Sequence, residues 1–252
     1  MDVIGIIPAR YASVRFEGKL LADLMGKSVI QHVWENAKRA STLDDLIVAT
    51  DDERVKDEVE RFGGKAVLTA KEHKTGSDRL REVANPINTR VVVNIQADEP
   101  LLHPSMIDDI VRPLLEDKSL LMTTLKKKIT DPDDLKNPNV VKVVTDKNGY
   151  ALYFSRSPIP YPRFHEGVVF YKHIGLYGFT KDFLFTFTNL PVSAIENIEG
   201  LEQLRVLENG YKIKVAETQF DTIGIDFADT ITTINRIPKL SPAYQRSPRD
   251  QP

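Results

Sequence analysis

Four short, β-branched apolar runs recur within the first hundred residues: Val3–Ile7, Leu46–Thr50, Ala66–Thr69 and Val91–Ile95. Runs this short and this continuous suit strands buried on both faces, where no polar side has to alternate with the apolar one. Amphipathic stretches separate them. Residues 28–40 place Val29, Ile30, Val33, Trp34 and Ala37 on one helical face behind Ser28, which has the chemistry of an N-cap. Residues 51–64 carry acids early and Gly63-Gly64 as a stop, and residues 76–86 and 103–117 read as two further helices. Strand–helix–strand repetition of this kind predicts an α/β protein with a mainly parallel sheet covered by helices on both faces.

The second half changes character. Residues 139–156 hold two strand patterns around Asp146-Lys147-Asn148-Gly149, a strong hairpin signal. A proline-interrupted loop follows over 158–167, then a strand over 173–180, one helix over 197–210 closed by Gly210, a strand over 212–218 and a last helix over 226–237. The tail, residues 241–252, is rich in Pro, Ser and charge and is expected to be disordered. No internal repeat of useful length is visible.

Composition narrows the function. Among 252 residues the formal net charge is −2, so no global field favours nucleic acid or an anionic membrane, and any anion site has to be local. There are no cysteines, which removes disulfides, thiolate nucleophiles and cysteine-based metal sites and is compatible with a reducing compartment. With no basic leader and no apolar run of membrane-spanning length, a soluble, cytoplasmic protein without membrane insertion is expected.

The end of the first run opens into "PARYASVRFEGK", Pro8 to Lys19, with Arg10, Arg15 and Lys19 but neither glycine-rich phosphate fingerprint. Side-chain cations with backbone amides at a strand end are able to hold a polyphosphate; the same residues also suit a solvated surface loop. Asp98 and Glu99 in "QADEP" follow the fourth run. A carboxylate there suits Mg²⁺, with Glu99 as a supporting acid, or the pair serves a helix near Pro104. Gly76 and Ser77, between Lys74 and Arg79, begin a helix either as a nucleotide contact or as an ordinary cap. Arg156, His173, Glu202 and Gln203 have structural readings of their own, and Asp226 is most simply an N-cap. Taken together, cations after the first strand, a carboxylate after the fourth and an acid near the end meet the needs of a magnesium nucleoside-triphosphate transferase.

The motifs "IPARYASVRFEGKLL", "ATDDERV", "TGSDRL", "NIQADEPLL", "VVKVVTDKNGYALYFSRSPIPYPR", "HIGLYGF" and "IEGLEQLRVLENG" resemble those of the 3-deoxy-D-manno-octulosonate (Kdo) cytidylyltransferases, in order from Ile7 to about Ile237. The resemblance implies a Rossmann-like, glycosyltransferase-A-like nucleotidyltransferase domain over 1–240 with an inserted hairpin and dimerisation subdomain. The CTP-binding part would span about 1–125 and 212–238, and the sugar-binding and dimerisation part about 126–211. It implies transfer of CMP from CTP to Kdo with release of pyrophosphate, for lipopolysaccharide assembly, by a Mg²⁺-dependent homodimer. Carried over by motif, Arg10, Ser13, Arg15 and Lys19 would hold the phosphates, and Gly76, Ser77, Arg79 and Gln96 would surround the nucleotide. Asp98 and Asp226 would hold metal, and Arg156, His173, Tyr177, Glu202 and Gln203 would line the sugar pocket. Arg10, Lys19, Asp98 and Asp226 would carry the catalysis.

Three departures from the family pattern set expectations. Glu17 puts an acid among the phosphate-binding cations and is expected to point to solvent. Ala97 replaces the usual glycine, at a cost of about 1 kcal/mol if that backbone needs positive φ. Phe227 stands where threonine is common. The rival readings are a cytidylyltransferase for 8-amino-Kdo or a sialic-acid-like sugar, an inert nucleotide-binding relative, and a nicotinamide oxidoreductase using Asp51 or Asp52. The absent glycine fingerprint argues against the last.

Overall fold

The computed structural model describes residues 1–12, 16–73, 75–164, 167–225 and 230–232. They form two compact units, one of Met1–Asp108 with the described residues from Phe220 onward, the other of Asp109–Gln219.

In the first unit, strand β1 (Val3–Ala9) is followed by a small hairpin, β2 (Asp23–Leu24) and β3 (Lys27–Ser28), and by helix α1 (Val29–Ala37). Then come β4 (Asp45–Thr50), α2 (Glu53–Arg61), β5 (Ala66–Leu68), α3 (Gly76–Ala84) and β6 (Val91–Asn94). Strands pair in the order β6-β1-β4-β5, all parallel, with Ile4 opposite both Asp45 and Val92. The four apolar runs are these four strands. Val3, Ile4, Ile6, Ile7, Val48 and Val91–Val93 are buried, as strands covered on both sides require. Strand β5 departs from that expectation: among the described residues it pairs with β4 alone, and it leaves Val67 and Leu68 exposed. The predicted apolar face of α1 is buried as well. Ser28 occupies its N-cap position without a side-chain cap bond. Asp52 does cap α2, accepting from Arg54 N. Helix α4 (Pro104–Glu116) carries the chain past the boundary between the units.

The second unit contains β7 (Met122–Lys128), α5 (Pro132–Lys136), β8 (Lys142–Thr145), β9 (Ala151–Ser155) and β10 (Tyr171–Thr180). Helices α6 (Lys181–Asn189), α7 (Ala194–Glu199) and α8 (Leu204–Glu208) and strand β11 (Lys214–Glu217) complete it. Strand β7 runs antiparallel to β10 and parallel to β11, and β8 and β9 form the predicted hairpin, with Gly149 at φ +78° in its turn. The single helix expected over 197–210 is instead two. Gly200 ends α7 at φ +62°, where its N–H and that of Leu201 both reach Glu196 O, and the chain restarts as α8.

Residues 230–232 are helical, the described portion of the predicted last helix; the rest of it, Phe227 and the tail lie outside the described residues. Among the described residues no helix is long and apolar enough to cross a membrane.

Candidate functional site

Neighbouring parallel strands end on the same edge of their sheet, so residues just past β1 and just past β6 are brought together by topology alone. In the first unit this edge holds a cavity of about 290 Å³ lined by Arg10, Lys19, Gly76, Arg79, Gln96 and Asp98, with Pro8, Ala12, Leu20 and Ala97 filling the remaining wall. Six residues predicted from scattered motifs thus share one wall. Ser77 is buried in the first turn of α3, and Ser13, Arg15 and Asp226 lie outside the described residues.

The electrostatics of this cavity are incomplete. Arg10 Nη2 is sealed from solvent and, among the described residues, has no hydrogen-bond partner. Leaving such a donor unmet costs about 1–3 kcal/mol, which an anion would recover. Arg79 is fully buried; Nη2 donates to Asp51 Oδ2 at 2.7 Å, Nη1 meets Thr69 Oγ1, and Nε has no partner among the described residues. Gly76 opens α3 behind a capping box in which Thr75 and Asp78 serve each other's amides, each at 3.2 Å.

Lys19 comes from a tight turn. Gly18 sits at φ +69°, its N–H donates to Tyr11 O at 3.1 Å, and a Cβ there would stand 3.0 Å from the Tyr11 hydroxyl. Arg54 lies 3.4 Å over the Tyr11 ring and is held by Asp52 through bonds of 2.9 and 2.7 Å. The turn delivers Lys19 Nζ to Asp98 Oδ2 at 2.5 Å and to Ile225 O at 2.9 Å. Glu17 is exposed, as expected of an acid kept out of a cationic loop. Ala97 is buried without strain: among the described residues Met25 is the one non-glycine at positive φ. Burial first, then the charge of Asp98, pushes the Glu99 carboxyl up to about 8; the Thr222 hydroxyl opposes this and Asp221 adds to it.

Asp98 suits a hard cation. It presents anionic oxygen on the wall of a cavity that already holds an unmet guanidinium donor. Among the described residues no three His, Asp or Glu gather as a metal cluster, so further ligands would come from phosphate oxygens and water, the usual habit of Mg²⁺.

In the second unit, His173 Nε2 lies 2.9 Å from Thr124 Oγ1. That hydroxyl's own proton has Leu176 O and Ile174 O as acceptors at 2.9 and 3.1 Å, so the ring nitrogen is the donor to it. Phe154 packs edge-on to the imidazole at 4.9 Å and Tyr177 stands at 5.4 Å. Burial pushes the imidazole down to about 3, and burial together with the nearby Glu202 charge pushes the Tyr177 phenol up. His173, Tyr177 and Glu202 are therefore neighbours, and Gln203, also buried, is the N-cap residue of α8. Arg156 has another occupation. Its guanidinium donates to Glu199 O at 2.7 Å, Pro138 O at 2.9 Å and Gly200 O at 3.3 Å, fastening β9 to the end of α7.

Sequence reasoning passed over Asp51 as the partner of Arg79, the Ile225 carbonyl and Thr222. Asp51 alone carried a signal, standing one residue past a strand end.

A cytidylyltransferase family model matches residues 4–213. A 3-deoxy-manno-octulosonate cytidylyltransferase of Geotalea uraniireducens is 52% identical over 237 residues, covering 90% of this chain and 94% of that protein. The one from Pelobacter propionicus is 50% identical over 242 residues, covering 92% and 95%. A solved CMP:2-keto-3-deoxy-manno-octonic acid synthetase complexed with CTP superposes with a TM-score of 0.89 at 39% identity, covering 93% of this chain and 97% of that one.

Proposed function

The chain belongs to the 3-deoxy-manno-octulosonate cytidylyltransferases, and on that premise we propose that it transfers CMP from CTP to Kdo, releasing pyrophosphate. The observation that carries this reading in the molecule itself is the buried Arg10 guanidinium nitrogen, without a hydrogen-bond partner among the described residues, in a cavity shared with Lys19 and Asp98. Nucleoside triphosphates need such a cavity; a neutral ligand does not.

In the reaction the C2 hydroxyl oxygen of Kdo attacks the α-phosphorus of CTP. The new P–O bond forms as the bond to pyrophosphate breaks, and the hydroxyl proton leaves to base or solvent. Arg10 and Lys19 hold the triphosphate oxygens and oppose the charge that builds on the leaving pyrophosphate, joined by Ser13 and Arg15 of the same loop. Gly76, Ser77, Arg79 and Gln96 flank the nucleotide, with Arg79 fixed by Asp51 as a rigid wall. Asp98, with Asp226, would hold Mg²⁺, which when bound supplies charge neutralisation along the triphosphate. His173, Tyr177, Glu202 and Gln203 form the sugar side, where a neutral imidazole and an un-ionised phenol meet sugar hydroxyls by hydrogen bonding. Arg156 contributes there chiefly by holding the end of α7 in position.

CTP as substrate points to the cytoplasm as the site of the reaction, with CMP-Kdo consumed in lipopolysaccharide assembly. We assign the homodimer contact to the middle region, where Leu152, Tyr161, Phe164 and Val169 are exposed although apolar or aromatic. A panel of Kdo, 8-amino-Kdo and sialic acid, each with CTP and Mg²⁺, tests the sugar assignment. Kdo is expected to give the highest kcat/KM; a preference for either other sugar would replace it as the substrate.

A further inference from the structure

The Lys19 ammonium occupies the very carboxylate assigned above to the metal. Its Nζ lies 2.5 Å from Asp98 Oδ2 and 2.9 Å from Ile225 O, while Ile225 N donates to Asp98 O at 2.9 Å. One ammonium thus ties the turn after β6 to the segment that leads into Asp226. The pair is partly sheltered, with 14% and 27% of the two side chains exposed, so water screens it incompletely. A divalent cation arriving at Asp98 would meet a positive charge already at contact distance, and the two repel strongly in such surroundings. A triphosphate changes that balance. It brings oxygens that receive both Lys19 and the unmet Arg10 Nη2, freeing Asp98.

We infer that Lys19 is a stand-in cation, neutralising Asp98 in the nucleotide-free enzyme and surrendering it to the metal only when a triphosphate draws the ammonium away. Metal binding is then conditional on nucleotide, and Lys19 supplies the condition. This rests on the assignment of Asp98 as a metal ligand.

The test measures Mn²⁺ bound to the full-length protein by electron paramagnetic resonance, with and without a non-hydrolysable CTP analogue. Wild type, Lys19→Met, Lys19→Arg and Asp98→Asn are compared after circular dichroism has matched their folds. Without nucleotide, Lys19→Met is expected to bind Mn²⁺ at least about tenfold more tightly than wild type, an excess that the double variant with Asp98→Asn loses. Lys19→Arg keeps a cation and is expected to resemble wild type. Unchanged or weaker Mn²⁺ binding by Lys19→Met would overturn the stand-in role while leaving Asp98 a ligand, provided wild type with the analogue shows Mn²⁺ that Asp98→Asn loses. If no Mn²⁺ depends on Asp98 even with the analogue present, the metal assignment falls, and the stand-in role with it.

Discussion

Charged groups in the two units are used in opposite ways. In the second unit the buried cations are spoken for by the protein. Arg205 meets Glu196 through two bonds of 2.8 and 2.5 Å. Lys142, fully buried, gives its three donors to the carbonyls of Asn137, Val140 and Arg156 at 3.0, 2.6 and 2.5 Å. Arg156, only half-buried, is likewise bound to three carbonyls. In the first unit's cavity, Arg10 Nη2 and Arg79 Nε have no hydrogen-bond partner among the described residues, and Lys19 is paired with the acid proposed above as a metal ligand. A buried cation that is fully satisfied is scaffold, because desolvating it is offset within the fold. One left short of partners at a strand end is a place prepared for an anion, and its cost is recovered on binding.

The largest expected effect comes from Asp98→Asn, which keeps size and shape but removes the charge. Turnover should fall by about a thousandfold or more, while the unfolding midpoint in urea stays near wild type. Near-normal activity would remove Asp98 from the catalytic set. Next is a matched pair. Arg10→Met is expected to lower kcat/KM for CTP about a hundredfold without loss of stability, since it removes an unmet buried donor. Arg205→Met should do the reverse, losing about 3–5 kcal/mol of stability by leaving Glu196 buried alone. Denaturant melts and kinetics on both variants decide the matter. Were Arg10→Met the one that unfolds, the contrast between the units would collapse.

A smaller effect concerns pH. His173 is held neutral by burial, with its folded value about 3 and thus below its unfolded value. The unfolded chain therefore takes up a proton that the folded one refuses as pH falls below the ordinary histidine range. Stability supported by the neutral ring is intact above that range and declines towards acid. The residue keeps some exposed area, so the decline is shallower than complete burial would give. His173→Gln should flatten the drop in melting temperature between pH 7 and pH 4.5; an unchanged slope would show that the imidazole titrates freely.

The sequence foretold the first unit better than the second, for identifiable reasons. Continuous β-branched runs such as Val91–Val93 leave little choice of structure, and β1, β4, β5 and β6 lie within two residues of where those runs place them. Strand β7 offers no such apolar run, because Lys126–Lys128 make its second half charged, yet the strand lies between β10 and β11. Helix α6 was hidden by alternating Phe and Thr, a strand-like pattern overridden when Thr180 caps it and Phe183, Leu184 and Phe187 bury one face. In the cavity, Arg10 and Asp98 were legible because each follows a strand end, and Gln96 only through the family resemblance. The contacts of Lys19 with Ile225 and of Glu99 with Thr222 were not, since each joins residues from opposite ends of the chain and only the fold brings them together.

Pyrophosphate release, followed with each component omitted in turn, tests the central claim most directly. Release should require CTP, Kdo and Mg²⁺ together and should yield one CMP-Kdo per pyrophosphate. Release with UTP but not CTP, or at full rate without Kdo, would contradict it.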